Sequence, residues 1–322
     1  MKTKLIYFLC DANEKSGMGH FLRCIALAKA LIQENIKVIF VGDYSGTAQG
    51  FAEYFGVNLQ LNKASIEQRV LQLQQASAII IDSYCFEPTK LPTEHHYVLI
   101  DDFCQHGAYP VQGVLNFTLA AMDYDYLIKG AQHQALGLKY YLPHPAISEL
   151  KLVDTVSNIK KILIMIGSGD VDKVGIRIAD LLYSLDLNLQ IKIVGKPPVG
   201  MTLPYKFIAA TPQVDQLYGW ADFCITSGGL AKYECAYLGR PAAVISLTKA
   251  ELAETIQFSR AGLCFNLGSS NDICQQDLCV QLTGLIDSKS QRLAASVACT
   301  QIFSEGSAEN AATFALACFN GQ

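Results

Sequence analysis

No cluster of Lys or Arg occurs in the chain, and charge of either sign is scarce. Only 17% of residues are charged, and the formal net charge is -4. A phosphate-backbone-binding surface needs concentrated positive charge, so a nucleic-acid partner is not expected. Long apolar runs are also missing. None approaches the ~20 residues that span a bilayer. The first apolar run is too short for a secretory signal and stops at Asp11. The chain has 11 cysteines but no Cys-x-x-Cys pair and no Cys/His grouping with zinc spacing. Cys10, Cys24, Cys224 and Cys235 lie inside apolar runs, where a reduced thiol packs as a small hydrophobe. A soluble cytoplasmic protein with reduced thiols and no metal centre or other cofactor is the expectation.

What the chain does have is core-forming material: 51% of its 322 residues are hydrophobic. At roughly 100–200 residues per domain, that length predicts about two domains. Strand-like and helix-like segments alternate throughout. In the first half the predicted strands are Lys4–Cys10, Lys37–Val41, Ala78–Asp82, Tyr97–Asp101 and Gly113–Asn116, with helices over Phe21–Gln33 and Ser65–Gln75. Several strands are continuous apolar runs, as parallel strands covered on both faces require. The stretch Pro143 to Ser157 lacks periodicity and reads as a linker. Predicted strands then resume at Lys160–Ile166, Gln190–Val194, Lys206–Ala209, Asp222–Thr226 and Ala242–Ser246. Helices are predicted over Val171–Leu185, Leu230–Leu238, Ala253–Ala261, Asp277–Asp287 and Ser288 to Phe319. Two α/β domains, 1–150 and 151–322, facing a central cleft are the simplest architecture.

The most informative stretch is Ser16-Gly17-Met18-Gly19-His20-Phe21-Leu22-Arg23-Cys24. It falls where the first strand turns into a helix. Free N–H groups and the helix dipole favour an anion at such a turn. Gly17 and Gly19 carry no Cβ, so the backbone can approach a phosphate, and His20 supplies a titratable ring beside it. The packing alternative is a histidine that simply caps the helix.

Two further glycine turns follow strands: Gly167-Ser168-Gly169-Asp170 and Ser227-Gly228-Gly229. Each alone is a weak signal, since a Gly-rich turn of this kind is more often just a tight connection than a phosphate site. Three together point to a ligand with several phosphate oxygens. None is a P-loop, and none completes the dinucleotide fingerprint. Glu234, in the helix that Gly228-Gly229 opens, is placed to accept hydrogen bonds from a ribose diol; the alternative is a solvent-facing acid. Asp82, Ser83 and Tyr84 end one strand, and Asp101-Asp102 end another. Paired acids serve metals or proton transfer, and often one of them caps a turn. They are placed near a substrate without a metal. His144, in the linker, is a candidate for lining the cleft.

The order of these segments resembles the hydrolases that release UDP from a 2,4-diacetamido-2,4,6-trideoxy-β-L-altrose in pseudaminic acid biosynthesis, and their spore-coat polysaccharide relatives. The matching stretches run from Asp11…Gly17-Met18-Gly19-His20-Phe21-Leu22-Arg23-Cys24 through Ile81-Asp82-Ser83-Tyr84, Ile100-Asp101-Asp102, Leu136-Gly137-Leu138 and Gly167-Ser168-Gly169-Asp170. They end at Ser227-Gly228-Gly229…Glu234…Leu238-Gly239-Arg240-Pro241. The last is shared with the lipid II N-acetylglucosaminyltransferase.

The resemblance implies a GT-B fold of two Rossmann-like domains, with the C-terminal helix crossing back to the first. It implies UDP held by Gly228-Gly229 and Glu234 in the second domain, with His20 as general base toward water and Tyr84 near the sugar. Gly17, Gly19, Arg23, Asp82 and His144 are expected on the sugar side. Gly167, Ser168, Gly169 and Ser227 are expected on the nucleotide side.

The chain departs from the family where Leu9 replaces an arginine and where His144 replaces another. Ser168 replaces a glycine, and Leu252-Ala253 stand in place of an Asn-Gln pair. These departures keep a second class open: a GT-B glycosyltransferase using a UDP-sugar or a CMP-activated nonulosonic acid, with a glycan or protein hydroxyl as acceptor. A non-catalytic sugar-nucleotide binder is a third class.

Overall fold

The computed structural model describes residues 4–321 apart from 75–76, 151, 153–157, 168–172, 199, 201, 273 and 304. Two compact units result. One takes residues 1–145 together with 303–322, and the other takes 146–302. The division expected from sequence is 1–150 and 151–322.

The first unit opens with β1 (Leu5–Leu9), α1 (Gly19–Gln33), β2 (Lys37–Gly42), α2 (Gly46–Phe55), β3 (Leu59–Leu61) and α3 (Ile66–Val70). It continues with β4 (Ala78–Ile81), β5 (His96–Ile100), β6 (Gly113–Asn116) and β7 (His133–Leu136). The strands form one parallel sheet in the order β3-β2-β1-β4-β5-β6-β7. Its central strands are apolar on both faces: Ile79, Ile80 and Ile81 of β4 are all fully buried. This is the sequence cost of a parallel sheet, which has no solvent-facing side. β1 and β4 are neighbours, yet the chain leaves them toward opposite edges of the sheet. Their carboxyl ends therefore define a topological switch point, where loops diverge and leave room for a ligand.

The second unit repeats the plan. It contains β8 (Lys161–Met165), α4 (Val174–Ser184), β9 (Gln190–Val194), β10 (Lys206–Ile208), α5 (Val214–Trp220), β11 (Phe223–Ser227) and α6 (Leu230–Tyr237). Then follow β12 (Ala243–Ser246), α7 (Lys249–Arg260), β13 (Phe265–Ser269), α8 (Gln275–Asp287) and α9 (Lys289–Ile302). The parallel order is β10-β9-β8-β11-β12-β13, so its switch point lies between β8 and β11. Ile162 and Ile164 of β8, Ile225 of β11, Ile245 of β12, Ile178 of α4 and Leu282 of α8 form the core beneath it.

Two expectations need correction, and several elements were not anticipated. The helix predicted over Ser65–Gln75 is only α3, five residues long. The helix predicted from Ser288 to Phe319 is two helices, α9 and α10 (Ser307–Asn320), with Gly306 at the start of the second in left-handed conformation (φ 69°). α10 lies against α1, β5, β6 and β7 of the first unit. Finally, β3, β7, β13, α2 and α5 have no counterpart among the elements expected from sequence. Among the described residues no helix is long and apolar enough to cross a membrane.

Candidate active site

The loop from β1 to α1 runs along the first switch point. Asn13 organises it, its Oδ1 accepting the N–H groups of Lys15 (2.9 Å) and Ser16 (3.1 Å). Gly17 closes the turn with φ 68°, a conformation costly for any residue with a Cβ, and donates its N–H to Asn13 O (2.9 Å). α1 then starts at Gly19 with no side-chain cap and no acid in its first turn. His20 and Arg23, one turn apart, point the same way.

What they meet comes from the neighbouring strands. Asp82 follows β4 directly, and Asp102 follows β5 by two residues. His20 Nδ1 lies 2.6 Å from Asp82 Oδ1. Arg23 grips Asp82 with two nitrogens, Nε to Oδ2 at 2.6 Å and Nη2 to Oδ1 at 2.6 Å. Its Nη1 donates to both oxygens of Asp102, at 2.9 and 2.8 Å. Tyr84 OH donates to Asp102 Oδ2 at 2.5 Å, and the His20 and Tyr84 rings meet edge to face with centroids 4.6 Å apart. The Arg23 guanidinium also lies over the Phe117 ring (5.3 Å). Arg23, Asp82 and Asp102 are all buried.

Charge decides the protonation pattern. Burial by itself would raise the pKa of Asp82, but the charges of Arg23 and His20 and their hydrogen bonds outweigh it, holding the carboxyl well below its ordinary range. An ionised carboxylate only accepts, so Nδ1 of His20 carries the hydrogen. With Nδ1–H directed at Asp82, Nε2 is the ring nitrogen left to exchange a proton, held in a fixed direction. This is the orienting arrangement a general base needs. Tyr84 is not an acid here: burial and the Asp102 charge push its phenol above its usual value, and its O–H is committed as a hydrogen-bond donor to Asp102.

The neighbouring Asp101 does other work. Its Oδ1 accepts from Phe103 N (2.8 Å) and Cys104 N (3.0 Å), and Tyr109 OH donates to its Oδ2. Of the Asp101-Asp102 pair, one caps a turn and the other joins the Arg23 network. Two residues that depart from the family pattern are buried. Leu9 is fully buried in the core under β1. His144 is buried, its ring edge-on to Phe55 of α2 (5.7 Å), and burial together with the Lys29 charge lowers its pKa to about 4.

The second unit carries its glycine turn at the corresponding place, after β11. A Cβ on Gly228 would sit 2.6 Å from Glu251 Cβ of α7, so no other residue fits. Gly229 is the N-cap of α6. Glu234 is buried one helical turn further on, and Tyr218 OH donates to its Oε2 at 2.5 Å. Burial raises the Glu234 pKa to about 6, with the Tyr218 hydrogen bond opposing. Gly167 leaves β8 with φ 86°; Ser168 and Gly169 lie outside the described residues.

The structure adds a group that the sequence does not reveal. Lys232 is fully buried, donates to Gly228 O, and pairs with Glu254 Oε2 at 2.7 Å. Tyr233 OH donates to the other Glu254 oxygen. The Lys232 ammonium also lies over the rings of Tyr233 (4.7 Å) and Phe258 (5.4 Å). A lysine in a helix normally reads as surface, so no signal in α6 alone could have found it. Among the described residues no group of three or more His, Cys, Asp or Glu side chains could hold a metal ion.

No protein-family model matches the chain. It is 22% identical over 306 residues to the spore coat polysaccharide biosynthesis protein SpsG of Bacillus subtilis (strain 168), covering 88% of this chain and 89% of that one. Among solved structures it is similar to the calicheamicin glycosyltransferase CalG4, with TM-score 0.60, 13% identity and 99% of both chains covered. It is similar also to MnaA of S. aureus in a structure with UDP, with TM-score 0.64, 14% identity and coverage of 95% and 94%. Motif order, paired parallel sheets and these likenesses agree: the chain is similar to a spore coat polysaccharide biosynthesis protein and has the GT-B fold.

Proposed function

We propose that the chain is a metal-independent enzyme that takes a nucleotide-activated sugar and transfers the sugar to a hydroxyl acceptor, with His20 as general base. The observation that carries this reading is the His20 Nδ1–Asp82 hydrogen bond at 2.6 Å, which leaves Nε2 free to take a proton. In the step, Nε2 accepts the acceptor's O–H proton while the oxygen forms a bond to the anomeric carbon. The bond from that carbon to the phosphate oxygen breaks, and the nucleoside diphosphate leaves with the electron pair. One base on the face opposite the leaving group suffices for such an inverting displacement. The diphosphate is assigned to the Gly228–Gly229 turn, where N–H dipoles offset its charge, and the ribose diol to Glu234. The likeness to CalG4 supports transfer, and the MnaA structure supports UDP as the nucleotide. The buried, apolar setting of Leu9, where the UDP-releasing hydrolases carry arginine, also speaks for a different reaction or substrate.

Hydrolysis, with water as nucleophile, is the second reading. The full Gly17-Met18-Gly19-His20 motif favours it, since the same base serves water. A proton NMR time course with a UDP-activated 2,4-diacetamido-trideoxyhexose, with and without a panel of glycoside and Ser/Thr-peptide acceptors, separates the two. Acceptor-dependent UDP release supports transfer, and fast release without acceptor replaces it with hydrolysis. In either case His20→Gln should lower turnover by ~10²–10⁴-fold; near-normal turnover would remove His20 from the base role.

A further inference from the structure

Two large aromatic rings stand half in solvent beside His20: Tyr84, 42% exposed, and Phe103, 41% exposed. They contact each other, with centroids 5.3 Å apart at 46°. Tyr84 is the inner ring, edge to face with His20, and Phe103 is one ring further out. The hydroxyl of Tyr84 is committed to Asp102, so what this pair offers a ligand is ring surface.

Phe103 is displayed by a built turn. Asp101 holds the N–H groups of Phe103 and Cys104, Cys104 takes a left-handed conformation (φ 50°), and Tyr109 OH fixes the other Asp101 oxygen. Lys129 Nζ donates to the carbonyls of Cys104 (2.8 Å) and His106 (2.9 Å). These bonds fix a loop whose exposed apolar residue stands on the side of the base.

The electrostatics narrow the occupant. The Arg23 charge is already divided between Asp82 and Asp102, so one guanidinium serves two carboxylates and offers an incoming anion no unshared charge. Ring faces are electronegative and attract C–H edges. An anionic ligand gains nothing on this wall, and a pyranose turning its C–H face to the rings does.

We infer that Phe103, with Tyr84, forms an acceptor subsite that takes the apolar face of a neutral carbohydrate whose hydroxyl His20 deprotonates. This rests on the transferase reading. It adds a specificity-determining residue, Phe103, and excludes uronic or other acidic sugars from the subsite.

Saturation-transfer NMR tests it with methyl glycosides of glucose, N-acetylglucosamine and rhamnose, and with methyl glucuronide as the anionic probe. UDP titration of the same samples reports folding and the nucleotide site. The expected result is transfer to the ring C–H protons of neutral glycosides, weak or none to the glucuronide, and a drop of about fivefold to tenfold in affinity for Phe103→Ala. Phe103→Trp should retain binding, and UDP affinity should be the same in all three proteins. Equal binding by wild type and Phe103→Ala, or no neutral glycoside bound while UDP binds, overturns the subsite and leaves the nucleotide-sugar reading standing. Glycosides bound through Phe103 with no affinity for any nucleotide would leave a carbohydrate site at Phe103 but overturn its acceptor role together with the nucleotide-sugar reading.

Discussion

His20 Nδ1 and Asp82 Oδ1 are 2.6 Å apart across 62 positions of sequence, and the pairing exists because β1 and β4 are neighbours at the switch point. The carboxylate fixes both the tautomer and the direction of the ring. Asp82→Asn keeps the shape but also allows the ring to carry its proton on Nε2, where it cannot act as base. The expected outcome is a fall in kcat of ~10²–10⁴-fold with nucleotide affinity retained. Steady-state kinetics beside UDP titration check it, and a loss confined to KM would overturn the orienting role.

Arg23 is the counter-charge for two buried carboxylates. Arg23→Met leaves Asp82 and Asp102 facing each other without it, and a loss of ~3–5 kcal/mol is expected from an uncompensated buried charge. Lysine cannot reproduce the fork that spans both acids, so Arg23→Lys should recover only part. The pH dependence has a definite sign. The folded pKa of Asp82 lies below its unfolded value, so its contribution is present above about pH 4 and is lost as pH falls further. The gap in Tm between wild type and Arg23→Met should narrow in acid. A gap independent of pH would show that Asp82 is not the group responsible.

How much of this was visible in the chain depends on the range of each interaction. The glycine–histidine turn was legible because strand, turn and helix signals are contiguous from Lys4 to Leu31. Asp82 and Asp102 were legible as acids ending apolar strands. The Arg23 bridge between them was not, since it depends on β1, β4 and β5 being consecutive in the sheet. Short edge strands also escaped: β3 is three residues, two of them exposed, and offers no apolar run. α2 contains Gly46 and Gly50, which weaken a helical pattern, and its boundary is set by the Ser45 cap and by Gly56 at φ 70°. Ser65 caps α3 with a capping box, yet the helix ends after Val70, so a good start signal overstated its length.

Glu234 gives the second unit a pH response. Its folded pKa of about 6 lies above the unfolded value, so folding favours the protonated form: that contribution is complete below about pH 4 and is lost as pH rises through 6. A ribose diol donates hydrogen bonds and prefers the carboxylate. UDP affinity should therefore rise between pH 5 and 7, beyond whatever change the phosphate itself produces. Calorimetric titration of wild type against Glu234→Gln isolates the difference. The variant should bind more weakly at pH 7 and should lack the extra rise. Parallel curves for the two proteins would take Glu234 off the ribose.

Lys232 couples the glycine turn to α7 through Gly228 O and Glu254. Lys232→Met removes the charge that balances Glu254 in this contact and frees the Gly228 carbonyl. A loss of stability of ~3 kcal/mol is expected, toward the lower end for a buried pair because Glu254 is partly open to water. Lys232→Met/Glu254→Gln leaves no unpaired charge and should regain much of that stability. The turn itself should not recover in the double variant, because its carbonyl still lacks the ammonium. Tm and UDP affinity then separate: the double variant is restored in the first and remains weakened in the second. Recovery of both together would mean that the lysine serves the ion pair alone and has no part in shaping the Gly228–Gly229 turn.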